Sequence, residues 1–287
     1  MSTFLIGGGW ATAEVYEPFV DAVGGEGRIG CLIVDEGDGA AQFERYAEVL
    51  RKAGPCTPVP LLVPLGGRFE PEQALEGVDG LLVCGGLTPA YQEALEDALE
   101  RLPALLAGRG MPYAGFSAGA AVAARRAVVG GWLVDGVPVC PEETGEDLAE
   151  VEVRAGLGLV PFAVDVHAAQ WGTLARLIAV VGRGAAPYGV AVDENTLLQV
   201  TDGEVRTAGL GRAHVVRPDG SGGGPTDPES ASPSPRDRPA PGAARVPPCP
   251  TAGPPPRLAG RRAVSAAAAG PRAEPPAQIV AVSITKR

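Results

Sequence analysis

The sequence predicts an α/β domain whose sheet is mostly parallel and covered by helices on both faces, followed by a low-complexity tail. Three observations lead there. Short, continuous apolar runs alternate with helical stretches, the pattern of strands buried on both faces. Several of these runs end in glycine or serine, at the carboxyl ends where such sheets place their ligands. The composition then changes abruptly near Pro218.

Phe4-Leu5-Ile6 is the first run and leads into Gly7-Gly8-Gly9. Cys31-Leu32-Ile33-Val34 is the second, followed by a helical pattern over 41–52. Residues 59–65 form the third, and Gly80-Leu81-Leu82-Val83-Cys84 the fourth, ending at Gly85-Gly86. A long helical stretch over 90–107 leads to Pro112-Tyr113-Ala114-Gly115-Phe116, and Ala120, Ala121, Ala123 and Ala124 mark the helix after Ser117. Beyond Gly130 the strands read as shorter and hairpin-like, with Val190-Ala191-Val192, a turn at Asp193-Glu194-Asn195, then Leu197-Leu198-Gln199-Val200.

The 287 residues are 45% hydrophobic and 20% charged, enough for one large or two small domains with a sizeable core. A net charge of −10 argues against nucleic acid or an anionic membrane as partner. The start MSTFLIGGGW has no basic segment and breaks at glycine, unlike a signal peptide. No apolar run reaches the roughly 18 residues of a membrane span. Cys31, Cys56, Cys84, Cys140 and Cys249 are odd in number and scattered, which fits reduced thiols in a cytoplasm and no structural zinc site. Residues 218–287 hold 16 of the 29 prolines and carry nine Lys/Arg against five Asp/Glu. So few large apolar side chains cannot offset the entropy of ordering, and 218–287 reads as a disordered tail behind a domain of residues 1–217. The apolar end QIVAVSITK has strand composition but is read with that tail.

Gly115-Phe116-Ser117-Ala118-Gly119 fits the G-x-S-x-G pattern of a nucleophile on a sharp strand-to-helix turn. Ser117 and Ser2 are the only serines before Pro218, which favours a chemical role over simple packing. Such a turn exposes the hydroxyl, and the N–H of Ala118 is one natural donor for a developing oxyanion. Gly86, at the end of the neighbouring run, supplies another without a side chain in the way. A serine nucleophile needs a base, and the chain has two histidines, His167 and His214. His167 closes the run Phe162-Ala163-Val164-Asp165-Val166, just before a helical stretch over 171–181, and is the favoured base. An acid must orient its imidazole. Between serine and histidine stand Asp135, Glu142, Glu143, Glu146, Asp147, Glu150, Glu152 and Asp165. Asp165 shares a strand face with His167 and would line the site. Asp135, after the elbow helix, is the other acid that would return beside it.

The elbow GFSAGA, the segment VDVHAAQWGTLARL (164–177) and GVAVDENTLL (189–198) together resemble the cyanophycinase and aspartyl dipeptidase family of serine peptidases. The resemblance covers roughly residues 1–217. It implies a flavodoxin-like, class I glutamine amidotransferase-like sheet, a catalytic pair at Ser117 and His167, and an oxyanion hole at Gly86 and Ala118. The family's acid precedes the histidine, which points to Asp135. Cyanophycinases carry a Gln before the histidine and several arginines after it, where this chain has Val166, Trp171 and Thr173 and keeps only Arg176. The loop after Gly86 reads Leu87-Thr88 instead of a polar pair. Leu87, Trp171, Arg176 and Asp165 are thus the expected substrate-binding residues, in a pocket more apolar than the family's, and cyanophycin is not the expected substrate. The expected function is hydrolysis of a small peptide or amide through an acyl-enzyme at Ser117, with no metal or cofactor. The alternative is a catalytically silent binding protein on the same fold. A nucleotide-binding reading of Gly7-Gly8-Gly9 fails the G-x-G-x-x-G spacing, so those glycines are expected to give backbone clearance.

Overall fold

Continuous apolar runs become strands wherever both faces of the chain meet other elements. The computed structural model describes residues 1–218 and the strand Val282–Ile284, which belong to one structural unit. In chain order the first half contains β1 (Ser2–Ile6), α1 (Glu17–Val23), β2 (Arg28–Asp35), α2 (Gly39–Ala53), β3 (Thr57–Pro64), α3 (Pro71–Ala74), β4 (Gly80–Val83), α4 (Thr88–Leu95), α5 (Arg101–Arg109), β5 (Tyr113–Phe116) and α6 (Ala118–Val122). The second half is richer in strands: β6 (Arg126–Gly130), β7 (Leu133–Val134), β8 (Val137–Pro138), β9 (Glu152–Ala155), β10 (Ala163–Val166), α7 (Ala168–Trp171), α8 (Leu174–Gly182), β11 (Gly189–Val192), β12 (Thr196–Thr201), β13 (Glu204–Gly209), β14 (Ala213–Val216) and β15 (Val282–Ile284).

The main sheet has seven strands in the order β13-β12-β1-β5-β4-β2-β3. The five from β1 to β3 are parallel, and β12 and β13 add an antiparallel edge. Successive side chains enter opposite cores, as the two-residue period requires. Phe4 and Ile6 pack with Ile29, Cys31 and Ile33 against Phe19 of α1 and Leu50 of α2. Leu5 packs with Leu32, Val34 and Val83 against Tyr91 of α4 and Leu102 of α5. This is the doubly wound, mostly parallel architecture that the sequence predicts.

Four local expectations need correction. The stretch 90–107 is not one helix: α4 ends at Leu95 and α5 begins at Arg101. Pro103 cannot donate to the carbonyl of Leu99, and its ring crowds that carbonyl. The helical stretch after His167 begins at Ala168 and breaks at Gly172, which turns with φ 73° before α8. The segments on either side of Asp193-Glu194-Asn195 are not a hairpin. β11 pairs in parallel with β10 in a second sheet, ordered β10-β11-β14-β15, whereas β12 pairs with β1 in the main sheet. Turn residues favour any sharp change of direction, and the open edge of β1 decides where Leu197 and Leu198 pair. Finally, Val282–Ile284, read with the tail, is a strand on the edge of β14. The rest of 219–287 lies outside the described residues.

The glycines of the elbow serve close approach. A Cβ on Gly115 would run into the carbonyl of Gly119, and one on Gly119 into the carbonyl of Val83. Both obstacles are backbone atoms held in place by the sheet and α6. Gly119→Ala is therefore expected to destabilise the protein by about 2–4 kcal/mol, measured as a lower urea midpoint at unchanged m-value.

Candidate active site

Ser117 leaves β5 with φ 51° and ψ −110°, a conformation that few side-chain-bearing residues adopt. Its N–H donates to the Ile6 carbonyl at 2.9 Å, and the Gly119 N–H donates to the Cys84 carbonyl at 3.1 Å. The Tyr113 hydroxyl donates to the Gly119 carbonyl at 2.7 Å. The bend is thus anchored from β1, β4 and β5 together.

His167 ends β10 in a left-handed conformation, φ 55° and ψ 33°, and its N–H donates to the Gly7 carbonyl at 2.9 Å. Trp171 stacks on one face of the imidazole, with centroids 3.7 Å apart and planes 7° apart. Gly8 lies so close that any Cβ there would run into the imidazole ring. The ring's edge nitrogens make two hydrogen bonds, Nε2 to Ser117 Oγ at 2.8 Å and Nδ1 to Glu194 Oε1 at 2.8 Å. An ionised carboxylate only accepts, so Nδ1 carries the proton and donates it to Glu194. Nε2 is then the bare acceptor, and the Ser117 hydroxyl donates to it. Burial pulls the His167 pKa below the usual imidazole value, against an upward pull from the hydrogen bond and charge of Glu194.

Glu194 is the residue that sequence reasoning missed. Its own N–H donates to Gln170 Oε1 at 2.9 Å, which ties the turn to α7. Asp135, the acid expected from the resemblance, stands on the β7–β8 turn with its side chain 81% exposed, paired with Arg183 at 3.4 Å. Short β7 and β8 pair with each other, and no hydrogen bond or ion pair joins Asp135 to His167 among the described residues. His214 hydrogen-bonds Asp193 at 3.0 Å in the second sheet, apart from Ser117.

Asp165 and Arg176 also need correction. They do not line the cleft around Ser117 but form a buried bidentate ion pair, Nε to Oδ2 at 2.9 Å and Nη2 to Oδ1 at 2.8 Å. Arg176 Nη1 donates further to the carbonyls of Thr144 at 2.8 Å and Gly131 at 3.3 Å. His167 lies past the end of β10 in a left-handed conformation, so the two-residue alternation does not carry over to it, and Asp165 meets Arg176 of α8 instead.

The Gly85 peptide is held from both sides. Its N–H donates to the Tyr46 hydroxyl at 2.8 Å, and its carbonyl accepts from the Tyr91 hydroxyl at 3.0 Å. In a trans peptide the Gly86 N–H points opposite to that carbonyl. Neither the Gly86 nor the Ala118 N–H donates to a protein acceptor among the described residues. Gly86, Leu87 and Trp171 line the cleft with Ser117 and His167, while Ala118 is buried at the start of α6. Cys84 is fully buried, and burial pushes its thiol well above the usual range, so it is no competing nucleophile.

The cleft has a volume of about 890 Å³ and opens beside Ser117. It is less apolar than Leu87 and Trp171 suggest, because carboxylates from the segments around Glu36 and Glu146 also line it. Glu146 accepts from the Thr88 N–H at 2.7 Å, and burial raises its pKa against the opposing pull of that N–H and of Arg176. Among the described residues no group of three or more His, Cys, Asp or Glu is arranged to hold a metal ion, and no helix is long and apolar enough to cross a membrane.

No protein-family model matches the chain. Among solved structures it is similar to a protein from Listeria monocytogenes EGD-e provisionally named peptidase E, at 17% identity and a TM-score of 0.51. The match covers 73% of this chain and 98% of that one. The fold is therefore peptidase E-like, a flavodoxin-like α/β arrangement.

Arg176→Met leaves Asp165 buried and charged without its partner. It is expected to cost about 3–5 kcal/mol, read by urea unfolding, and most of that loss should return in the Asp165→Leu/Arg176→Met double variant.

Proposed function

We propose that the protein is a serine hydrolase of the peptidase type, cleaving a peptide or amide bond through an acyl-enzyme on Ser117. The observation that carries this reading is the continuous hydrogen-bonded chain Ser117–His167–Glu194 at the wall of an open cleft. In the proposed reaction, His167 Nε2 takes the hydroxyl proton as Ser117 Oγ attacks the scissile carbonyl. Glu194 keeps the imidazole in the required tautomer and stabilises the imidazolium. The N–H groups of Gly86 and Ala118 are the proposed donors to the tetrahedral oxyanion. The imidazolium then protonates the leaving amine, and a water molecule, deprotonated by His167, releases the acid from Ser117.

The peptidase E-like fold supports this assignment, and the three sequence segments support membership of the wider aspartyl dipeptidase and cyanophycinase group. Cys31, Cys56, Cys84 and Cys140 are free thiols, which favours a reducing compartment such as the cytoplasm as its place of work.

Fluorophosphonate labelling tests the proposal. Wild type is expected to gain one adduct by mass, Ser117→Ala none, and His167→Ala only a slow one. Glu194→Gln is expected to slow labelling by roughly 10²–10⁴-fold. Failure of folded wild type to label would put the binding-protein alternative first. The pH dependence has a defined sign. The reactive form is neutral His167, whose pKa is lowered, so the rate should hold down to the ordinary imidazole value near 6.5 and fall only below it. In Glu194→Gln the upward pull is gone, and the acid limb should move lower still.

A further inference from the structure

We propose that the cleft beside Ser117 selects short peptides carrying an arginine or lysine side chain next to the scissile bond. The proposal rests on the reading of Ser117 as nucleophile and names the substrate class for that site. Glu36, Asp38, Glu142, Glu143, Glu146 and Asp147 line the cleft, against Arg45 as the one Lys/Arg side chain among the described lining residues. None of these six carboxylates is in a salt bridge among the described residues. Arg45 is itself engaged, its guanidinium lying 3.8 Å from the centroid of the Trp10 ring. Unpaired like charges around one concavity repel each other, and a bound cation relieves that repulsion.

Two of the carboxylates are held at the nucleophile's side of the cleft. Glu36 Oε1 accepts from the Leu87 N–H at 3.2 Å, and Glu146 Oε2 accepts from the Thr88 N–H at 2.7 Å. They thus flank the two residues that follow Gly86. Glu36 Oε2 makes no hydrogen bond to protein among the described residues and is free for a ligand, whereas Glu146 is also bonded by the Thr88 side chain.

A second, independent observation points the same way. The chain has three tryptophans, Trp10, Trp132 and Trp171, and all three line this cleft. Ring faces attract cations, and Arg45 over Trp10 is an instance within the protein. The acids do not suit a metal ion, since no three of them converge as a metal site requires. They suit an extended organic cation whose stem lies on aromatic rings. An aspartyl or glutamyl side chain would enter against six like charges.

The test uses full-length Ser117→Ala protein, which holds a peptide without turning it over, and tryptophan fluorescence as the readout. The probes are acetylated, amidated tripeptides Ala-X-Ala with X as Arg, Lys, Gln or Glu. The Arg and Lys peptides are expected to bind about tenfold more tightly than the Gln peptide, with the Glu peptide weakest and the preference shrinking as salt is raised. Adding Glu36→Gln and Glu146→Gln should weaken the Arg peptide about five- to tenfold and leave the Gln peptide unchanged. Equal or tighter binding of the Gln or Glu peptide, or no saturable binding of the Arg and Lys peptides, would overturn the proposal. Fluorophosphonate labelling of wild type separates the two readings. Labelling without cation preference keeps the hydrolase and removes this inference. Cation preference without labelling keeps a cation-binding cleft and removes the hydrolase.

Discussion

The carboxyl ends of β1, β10 and β11 converge in a space that only unsubstituted backbone can share. A Cβ on Gly7 would meet the carbonyls of Val192 and Asp193, one on Gly8 would meet the imidazole of His167, and one on Gly9 the side chain of Asn195. In return, the Gly7 carbonyl accepts from the His167 N–H, and the Gly8 carbonyl accepts from the Asn195 N–H at 2.6 Å. This seam joins the two sheets and sets where His167 and Glu194 stand relative to Ser117. The glycine run that looks like a nucleotide-binding loop is therefore a backbone junction, in keeping with its failure to match the dinucleotide spacing.

Charge is treated in two opposite ways within a short stretch of chain. Asp165 and Arg176 are buried together, and Arg176 Nη1 donates to the carbonyls of Thr144 and Gly131. That arrangement is costly to break and contributes order more than net stability. A few residues along, Glu142, Glu143, Glu146 and Asp147 face the cleft without a salt bridge among the described residues, though Glu146 feels the charge of Arg176. The same loop is neutralised through its backbone and left charged at its side chains. His167 lies between these regimes, desolvated by Gly8 and Trp171 yet held by the Glu194 carboxylate.

Much of this was legible in the sequence. Continuous apolar runs revealed the doubly wound sheet because strands buried on both faces leave little freedom in residue choice. Ser117 and His167 were legible because each closes such a run. Glu194 is not, because the chain order serine, acid, histidine places the acid before His167. The signal lay in strand pairing: β10 and β11 are parallel with Val166 opposite Val192, so residues just past both ends arrive at the same level. Without knowing that pairing, Asp193-Glu194-Asn195 looks like any tight turn. The place of Asp165 is hidden for a related reason. A period of two holds only within the strand, and His167, left-handed past the end of β10, leaves it, while Asp165 meets Arg176 of α8.

Arg176 hydrogen-bonds the 131–146 loop only through carbonyl oxygens, which every residue type presents alike. The side chains at Glu142 and Glu143 are therefore not part of what this clamp fixes, whereas Glu146 feels the charge of Arg176 and accepts from the Thr88 N–H. The identities of Glu142 and Glu143 can change while Arg176, Asp165 and the loop's path remain. The protein thereby separates its architecture from its choice of ligand: the seam glycines and the clamp tolerate little variation, whereas the lining of the cleft is open to diversification by single substitutions. A lineage built on this chain would be expected to change what it recognises far sooner than how it is folded.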